Sequence, residues 1–305
     1  MKKSIILVIA GLMLGFMASA QSQQKIEKDF EGFSTVKVED NFVVKLKNSE
    51  KYSVSINVDE RIAAHVQAYE KGGTLYLILD EKGYSKELKK ELRQKGAAKP
   101  VLEAEICMPS LGSLVMKDDV VLVHCDEFHT DKFTFTAADD VKVSQLKVVC
   151  RTAEMDLSSD VEMSADMQVS GKLYLKASKS SKLSLSQNGG KAELELSGSS
   201  YLDMRATVDD MIINASASAE SHISGTATSI EVNTSGYSRT DVEQFEVKEG
   251  NIVMTGSSKC HVNITDEMKV NLTGGSMLTF KADPYIEIDR IVSSTLIKHD
   301  DPKRK

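Results

Sequence analysis

The chain has 305 residues and a formal net charge of −7 at pH 7, with no tryptophan and few other aromatic residues. An acidic chain is a poor match for nucleic acid or an anionic membrane surface, so the charge argues against both as partners. Small and β-branched residues are plentiful and proline is scarce, which favours stacked strands over packed helices.

The first 20 residues have the features of a secretory signal peptide. Two lysines precede an apolar run over residues 5–17, and the small residues 18–20 form a cleavage site. The apolar run is short for a bilayer span and no other long one follows, so we expect no transmembrane segment in the mature chain. This predicts export to the periplasm, the cell surface or the medium, with residues 21–29 as a linker.

Residues 30–109 alternate between apolar and polar side chains in short runs, as in TVKVE (35–39) and TLYLIL (74–79). Such alternation predicts strands, and Gly72-Gly73 before the second run predicts a hairpin turn. Residues 80–99 are highly charged, with two leucines four residues apart, which indicates a short exposed helix or a mobile excursion. We therefore predict an N-terminal β segment that contains a charged helical insertion.

From residue 110 to 298 a small polar phrase recurs before an apolar residue, as in SGSSYLDM (197–204) and TGSSKCHV (255–262). The closing apolar residues recur at steps of 18 to 22 residues, at Val123, Val143, Met163, Leu185, Met204, Ile223, Val242, Val262 and Phe280. The residue two positions earlier is mostly apolar too, which is the alternation of a strand. A repeat of this length is one turn of a solenoid. The prediction is an all-β, right-handed parallel β-helix or β-solenoid with coils of about 20 residues, continuous with residues 30–109 as one domain and followed by a basic tail over residues 299–305.

The small residues of the phrase are predicted to form a corner of each coil. With Leu202 and Met204 placed inside, Gly198 and Ser200 also face inward, where the interior narrows. Glycine tolerates the backbone angles that such a corner needs. The phrase is therefore interpreted as structural and not as a phosphate-binding loop, because no GxGxxG or Walker pattern accompanies it.

Several stretches together resemble a known bacterial family, the "putative autotransporter-adhesin head" or GIN domain. They are FEGFSTVKVEDNFVVKLKNSEKYSVSINVDE (30–60), GGTLYLIL (72–79), CMPSLGSLVMKDDVVLV (107–123), the repeated SGSSYL and TGGS phrases, and FKADPYIEID (280–289). The resemblance covers about residues 30 to 300. It implies an exported β-helical protein, often from Bacteroidetes, and it carries over no catalytic residue.

One column of outward-facing residues carries candidate metal ligands. It contains four successive members of alternating type, Asp203, His222, Asp241 and His261. If the register holds, neighbours stand one strand spacing apart, where imidazole and carboxylate groups could hold a transition metal or titrate near neutral pH. The alternative is a structural one, in which alternating charges avoid like-charge stacking on an exposed sheet.

Two further groups could carry chemistry. The pairs Asp118-Asp119 and Asp139-Asp140 could bind Ca²⁺ or, with a Lys or Arg in a groove, act on a polysaccharide, but paired acids are also typical turn residues. The four cysteines have apolar neighbours and no CxxC spacing. They indicate buried free thiols, with one disulfide among the first three as the alternative. A nucleophile formed by Cys125 with a flanking histidine is disfavoured, because adjacent strand residues point to opposite faces.

The expected function is that of a non-enzymatic, adhesin-like binding protein of the cell envelope, without a cofactor, that presents a solenoid surface to a protein or glycan partner. Tyr201 and Tyr237 are the candidate contact residues on that surface. Open strand edges at the solenoid ends would also allow a homo-oligomer. The alternatives are an extracellular enzyme acting on polysaccharide and a metal-binding envelope protein.

Overall fold

The computed structural model describes residues 22–95 and 98–299. This part of the chain is mostly β-strand and forms a solenoid of about nine turns, which confirms the predicted architecture. The predicted signal peptide and nearly all of the basic tail lie outside the described residues. None of the helices in the described ranges has the length and apolarity needed to cross a membrane.

The N-terminal part contains short strands and one helix that its charged segment forms. Its strands are β1 (Gln23–Asp29), β2 (Thr35–Glu39), β3 (Val43–Asn48), β4 (Ser53–Asp59), β5 (Val66–Lys71), β6 (Thr74–Leu79), β7 (Leu102–Met108), β8 (Ser113–Lys117) and β9 (Val121–Cys125). Helix α1 spans Lys86–Leu92, and 3-10 turns occur at Ala63–His65 and Glu81–Gly83.

The repeat region continues with parallel strands. They are β10 (Phe128–Ala138), β11 (Lys142–Ser158), β12 (Glu162–Ala177), β13 (Lys182–Asn188), β14 (Lys191–Leu196), β15 (Tyr201–Thr207), β16 (Asp210–Ala215), β17 (Glu220–Thr234), β18 (Arg239–Met254), β19 (Lys259–Thr273), β20 (Met277–Phe280), β21 (Tyr285–Val292) and β22 (Thr295–Lys298). Each pairs in parallel with the equivalent segment of the next turn.

Each turn contributes one segment to each of two faces. Face A is the stack that runs from β9 through β13, β15 and the first parts of β17, β18 and β19 to β20 and β22. Face B is the stack that runs from β8 and β10 through β14, β16 and the last parts of β17, β18 and β19 to β21. Alternate side chains of both faces enter one continuous apolar core, whose burial is the main stabilising contribution.

The spatial order of the first turns differs from their order in the chain. Strand β2 lies between β6 and β8, and β3 lies between β7 and β9, so the turn over residues 74–108 lies outside the turn over residues 35–48. Antiparallel strands β5, β4 and β1 close this end. Helix α1 belongs to the outer turn. Its half-buried Leu88 and Leu92 pack against the core.

The recurring phrase forms the corner between face B and face A, as predicted. Gly198, Ala217 and Gly236 have left-handed backbone angles, with φ of 71°, 58° and 69°. The position that follows the corner is buried throughout, and it changes along the solenoid from valine to small residues: Val120, Val141, Val161, Ser181, Ser200, Ala219, Ser238, Ser258 and Ser276. The corner therefore narrows toward the C-terminus.

The predicted register is wrong in the first repeats. Val143 and Met163 pair with the strand position of Leu183, not with that of Leu185, and Val123 is 39% exposed while Leu122 takes the inward position. The early turns carry valine at the buried corner position where later turns carry serine. At Val143 and Met163, the corner valine and the residue two positions later therefore mimic the later apolar pair, displaced by two residues. At residues 120–123 an unbroken apolar run conceals the alternation.

Candidate binding faces

The four candidate metal ligands lie side by side on face A. Asp203 pairs with His222, His222 with Asp241, and Asp241 with His261, each in neighbouring parallel strands. The Nδ1 atom of His222 is 3.7 Å from Oδ2 of Asp241, and its Nε2 atom is 3.1 Å from Oε1 of Glu220. The column thus has the predicted neighbours, and His222 lies between two carboxylates.

A metal ion would need more ligands than His222 and Asp241. Among residues 22–95 and 98–299, no group of three or more His, Cys, Asp or Glu side chains lies close enough together to hold a metal ion. The metal site therefore stays a prediction.

The two candidate tyrosines occupy different positions around the corner. Tyr201 begins β15 on face A, with its ring centroid 5.7 Å from that of His222. Partial burial, together with the carboxylates of Asp203 and Glu220, raises the pKa of the Tyr201 hydroxyl. Tyr237 lies in the corner turn and is 77% exposed. Tyr237 is therefore freely available to a partner, whereas Tyr201 forms part of a packed polar surface.

Tyr201 and Asp203 line a groove of about 500 Å³ on face A, together with Lys142, Glu162 and Lys182. Charges of both signs alternate along this column, since Lys142 pairs with Glu162 and Glu162 with Lys182. Lys142 and Glu162 lie in the column of Tyr201, whereas the predicted register of the closing apolar residues would put them in the column of Asp203. The cause is the same two-residue displacement of the early repeats.

Face B carries a larger groove of about 540 Å³ that the sequence analysis did not single out. It crosses six turns and is lined by Lys172, Lys191, Ala192, Glu193, Asp210, Met211, Ile212, Ser229, Ile230, Glu231, Glu249, Gly250, Asn251, Glu267 and Lys269. Its signal in the sequence is the run of charges at alternate positions in KAELE and in the equivalent segments of later repeats.

Ion pairs between turns hold the charged side chains of this groove. The Nζ atom of Lys191 is 2.6 Å from Oδ2 of Asp210, and Lys172 pairs with Glu193. The amine of Lys191 and the hydroxyl of Ser229 lower the pKa of Asp210. At the far end, Glu249 and Glu267 stand opposite each other in register. Neither carboxylate forms an ion pair within the described ranges.

A second depression of about 390 Å³ continues along the next columns of face B. The amide of Asn233 donates to Oδ1 of Asn214 at 3.0 Å and to Oε1 of Glu231 at 2.8 Å. Asparagine side chains offer both donors and acceptors. Face B therefore combines charged and neutral hydrogen-bonding groups along one continuous surface.

The chain matches the family described as "Putative auto-transporter adhesin, head GIN domain" (DUF2807) over residues 32–174 and again over residues 172–284. The chain belongs to this family. The two matches meet inside β12, so the GIN-domain pattern runs through the solenoid without a break in the stacking.

Several solved structures are similar to this GIN-domain chain over nearly its full length. One from Parabacteroides distasonis, named a putative adhesin, is 14% identical, with 92% of this chain and 98% of that chain covered and a TM-score of 0.46. Another from the same organism, named a putative lipid binding protein, has the same identity and coverage and a TM-score of 0.43. A putative adhesin from Parabacteroides merdae is 17% identical over the same shares, with a TM-score of 0.39. No curated protein matches the chain significantly.

The paired aspartates occupy the same corner in the early turns of the GIN domain. Asp118, Asp119, Asp139 and Asp140 all have left-handed backbone angles, with φ between 60° and 64°. The hydroxyl of Ser159 donates to Oδ1 of Asp139 at 2.9 Å. Aspartate tolerates this conformation, so the geometry supports the turn interpretation. Neither pair lines any of the three grooves. The four aspartates therefore do not meet a Lys or Arg in one of these grooves, as the enzyme alternative requires.

All four cysteines are free thiols, and Cys125, Cys150 and Cys260 are buried. Burial raises the pKa of Cys125 and of Cys150 to about 11. The Cys125 thiol donates to the backbone oxygen of Asp126 at 3.2 Å, while the neighbouring His124 contacts the Asp126 carboxylate. A thiol held in the neutral form is a poor nucleophile. The cysteine–histidine pair is therefore not formed.

Proposed function

We propose that this GIN-domain chain is an exported, non-enzymatic, adhesin-like binding protein of the cell envelope that holds a protein or glycan partner along face B. The groove of about 540 Å³ across six turns of that face is the observation that carries the proposal. Membership of a family described as adhesin heads supports the adhesin-like role. The composition of residues 1–20 supports export.

The construction of face B suits recognition of a polar partner. Stacked turns make a rigid surface whose groups do not have to be ordered when the partner binds, so little conformational entropy is lost. Glu249 and Glu267 are directly opposed like charges, an arrangement that reduces the stability of a sheet. A partner with ammonium, guanidinium or hydroxyl donors would relieve this repulsion. The groove therefore favours a donor-rich surface.

The location of the protein tests the first half of the proposal. Intact cells are treated with protease, and the chain is probed beside a periplasmic control protein. Digestion of the chain with the control intact would support surface display. Protection of both until the outer membrane is opened would remove the basis of an adhesin role and leave a periplasmic partner.

A charge reversal in the groove tests the second half. We expect Glu249→Lys with Glu267→Lys to weaken binding of the labelled chain to target cells at least about tenfold, because each reversal replaces attraction by repulsion. The matched control is Glu103→Lys with Glu105→Lys on strand β7, the same charge change at exposed positions outside the groove. Loss of binding in both variants, or in neither, would contradict a role for face B. Pretreatment of target cells with protease or with periodate then distinguishes a protein partner from a glycan.

The register of the Asp/His column supports metal binding as a second candidate function, because His222 lies between carboxylates on both sides. Calorimetric titration with Zn²⁺ tests it directly. We expect His222→Ala with His261→Ala to abolish any heat of binding that the unmodified chain shows. Absence of binding by the unmodified chain would end this idea, and it would leave the groove proposal untouched.

A further inference from the structure

The two ends of the solenoid differ in how their edge strands are covered. At the N-terminal end, the antiparallel strands β1, β4 and β5 close the stack, and β1 carries two lysines, one glutamate and one aspartate around a single isoleucine. Charged edge strands discourage pairing with other chains. At the C-terminal end, β21 pairs only with β19 and β22 only with β20 among the described residues. Strands β21 and β22 therefore each have one edge that is unpaired within the described chain.

The C-terminal edge is apolar as well as unpaired. Ile286, Ile288 and Ile291 stand in register with Met268, Val270 and Leu272, which are fully buried, so these isoleucines point into the core. Ile288 is nevertheless 56% exposed, since no further turn among the described residues covers it. Tyr285 and Val292 on the outer side are 71% and 44% exposed. Solenoids ordinarily cover such an end with a polar cap.

A β-bulge gives strand β21 a symmetric pattern of side chains. The register shifts between Val270 and Asn271, so that Asp289 is an extra residue in β21. When Asp289 is left out, side chains therefore alternate between inward and outward along the whole of β21. Ile286, Ile288 and Ile291 face inward, and Tyr285, Glu287, Arg290 and Val292 face outward. When the bulge residue is skipped, Ile288 is the midpoint of the strand.

We propose that two copies of this chain associate end to end through antiparallel pairing of their β21 edges, about a two-fold axis at Ile288. In that register Ile288 lies against the partner's Ile288, and Ile286 lies against the partner's Ile291. Tyr285 lies opposite the partner's Val292. Every opposed pair has both side chains on the same side of the sheet, which antiparallel pairing requires. The two apolar cores then become continuous.

Charge complementarity selects a second copy as the occupant of this edge. The same register places Glu287 opposite the partner's Arg290, and by symmetry the pair occurs twice. Arg290 forms no ion pair within the described part of the chain. Glu287 shares Lys269 with Asp289, at 3.1 and 3.4 Å from Nζ. Two carboxylates around one ammonium leave negative charge for the partner's guanidinium to neutralise.

Sedimentation equilibrium and a disulfide trap test the proposal on the purified chain. In an antiparallel pair the facing Cα atoms are about 4.5–5.5 Å apart, within the range that a disulfide spans. We expect Ile288→Cys to give a covalent dimer on mild oxidation. The control Tyr237→Cys, at an exposed corner several turns away, and the unmodified chain should stay uncrosslinked under the same conditions.

Charge exchange tests the register itself. We expect Arg290→Glu alone to weaken the dimer at least about tenfold, because like charges then face each other twice. Glu287→Arg combined with Arg290→Glu should restore the dimer, since the opposed charges are exchanged and not lost. Circular dichroism checks that each variant keeps its fold. A chain that is monomeric up to its solubility limit would overturn the proposal, and so would a dimer that is indifferent to Arg290→Glu.

Discussion

The stacked corner makes a sharp prediction about glycine. Gly198 has φ of 71°, and a Cβ placed on it would lie 2.7 Å from the backbone nitrogen of Lys179 and 2.8 Å from its Cα. Gly72, in the hairpin between β5 and β6, has φ of 62°, and no atom of the described residues lies within 4 Å of a Cβ placed there. Alanine at the two sites therefore meets the same backbone conformation and a different environment.

The comparison separates two contributions to the free energy of unfolding. The left-handed conformation costs an alanine about 1 kcal/mol at either site. At Gly198 the backbone of the preceding turn must also move, which adds about 2 kcal/mol. We therefore expect about 1 kcal/mol for Gly72→Ala and about 3 kcal/mol for Gly198→Ala. The effect of alanine on the unfolded chain is common to both and cancels in the difference.

Guanidinium unfolding followed by circular dichroism measures the two costs. Long repeat arrays can depart from two-state behaviour, so hydrogen exchange provides a second, local readout. The amide of Ser199 donates to the Lys179 oxygen at 2.7 Å and should exchange faster in Gly198→Ala. Equal costs for the two variants would refute the idea that the backbone of Lys179 leaves no room for a Cβ at Gly198.

Three further predictions concern stability and reactivity. Hydrogen bonds from Arg61 lower the pKa of the buried Asp59, so the stabilisation by this pair is present above the ordinary pKa of aspartate and is lost as the pH falls through the lowered value. In urea unfolding, Arg61→Ala should therefore reduce the free energy of unfolding by about 2 kcal/mol at pH 7 and by clearly less at pH 3. An equal cost at both pH values would contradict this pairing. Alkylation at pH 8 should label Cys107 first and the three buried cysteines only after unfolding, as mass spectrometry of timed samples would show; rapid labelling of all four thiols in the folded chain would contradict the burial. Ser85→Ala removes the N-cap hydroxyl that accepts a hydrogen bond from the Leu88 amide at 3.0 Å, so hydrogen exchange at that amide should become about fivefold faster. An unchanged rate of hydrogen exchange would mean that packing alone holds α1.

The repeat made much of the fold and one candidate column predictable. Each strand pairs with the equivalent segment of the next turn, so a period near 20 residues specifies both the inward positions and the outward neighbours. The column from Asp203 to His261 followed from that rule and occurs as predicted. The rule failed at Val143 and Met163, where a valine corner in the early turns imitated the apolar pair of the later ones.

The sequence by itself determined the solenoid, its corner and the residues that face inward in the later turns, because these depend on a local pattern that recurs from turn to turn. The tertiary structure alone decided that residues 74–108 stack outside residues 35–48, and that face B is grooved. It also decided that the apolar edge of β21 stays unpaired within the described chain. These features depend on pairing between segments distant in the chain. Closing a long loop costs little more entropy than closing a shorter one, so the choice among such pairings has no local signature in the sequence.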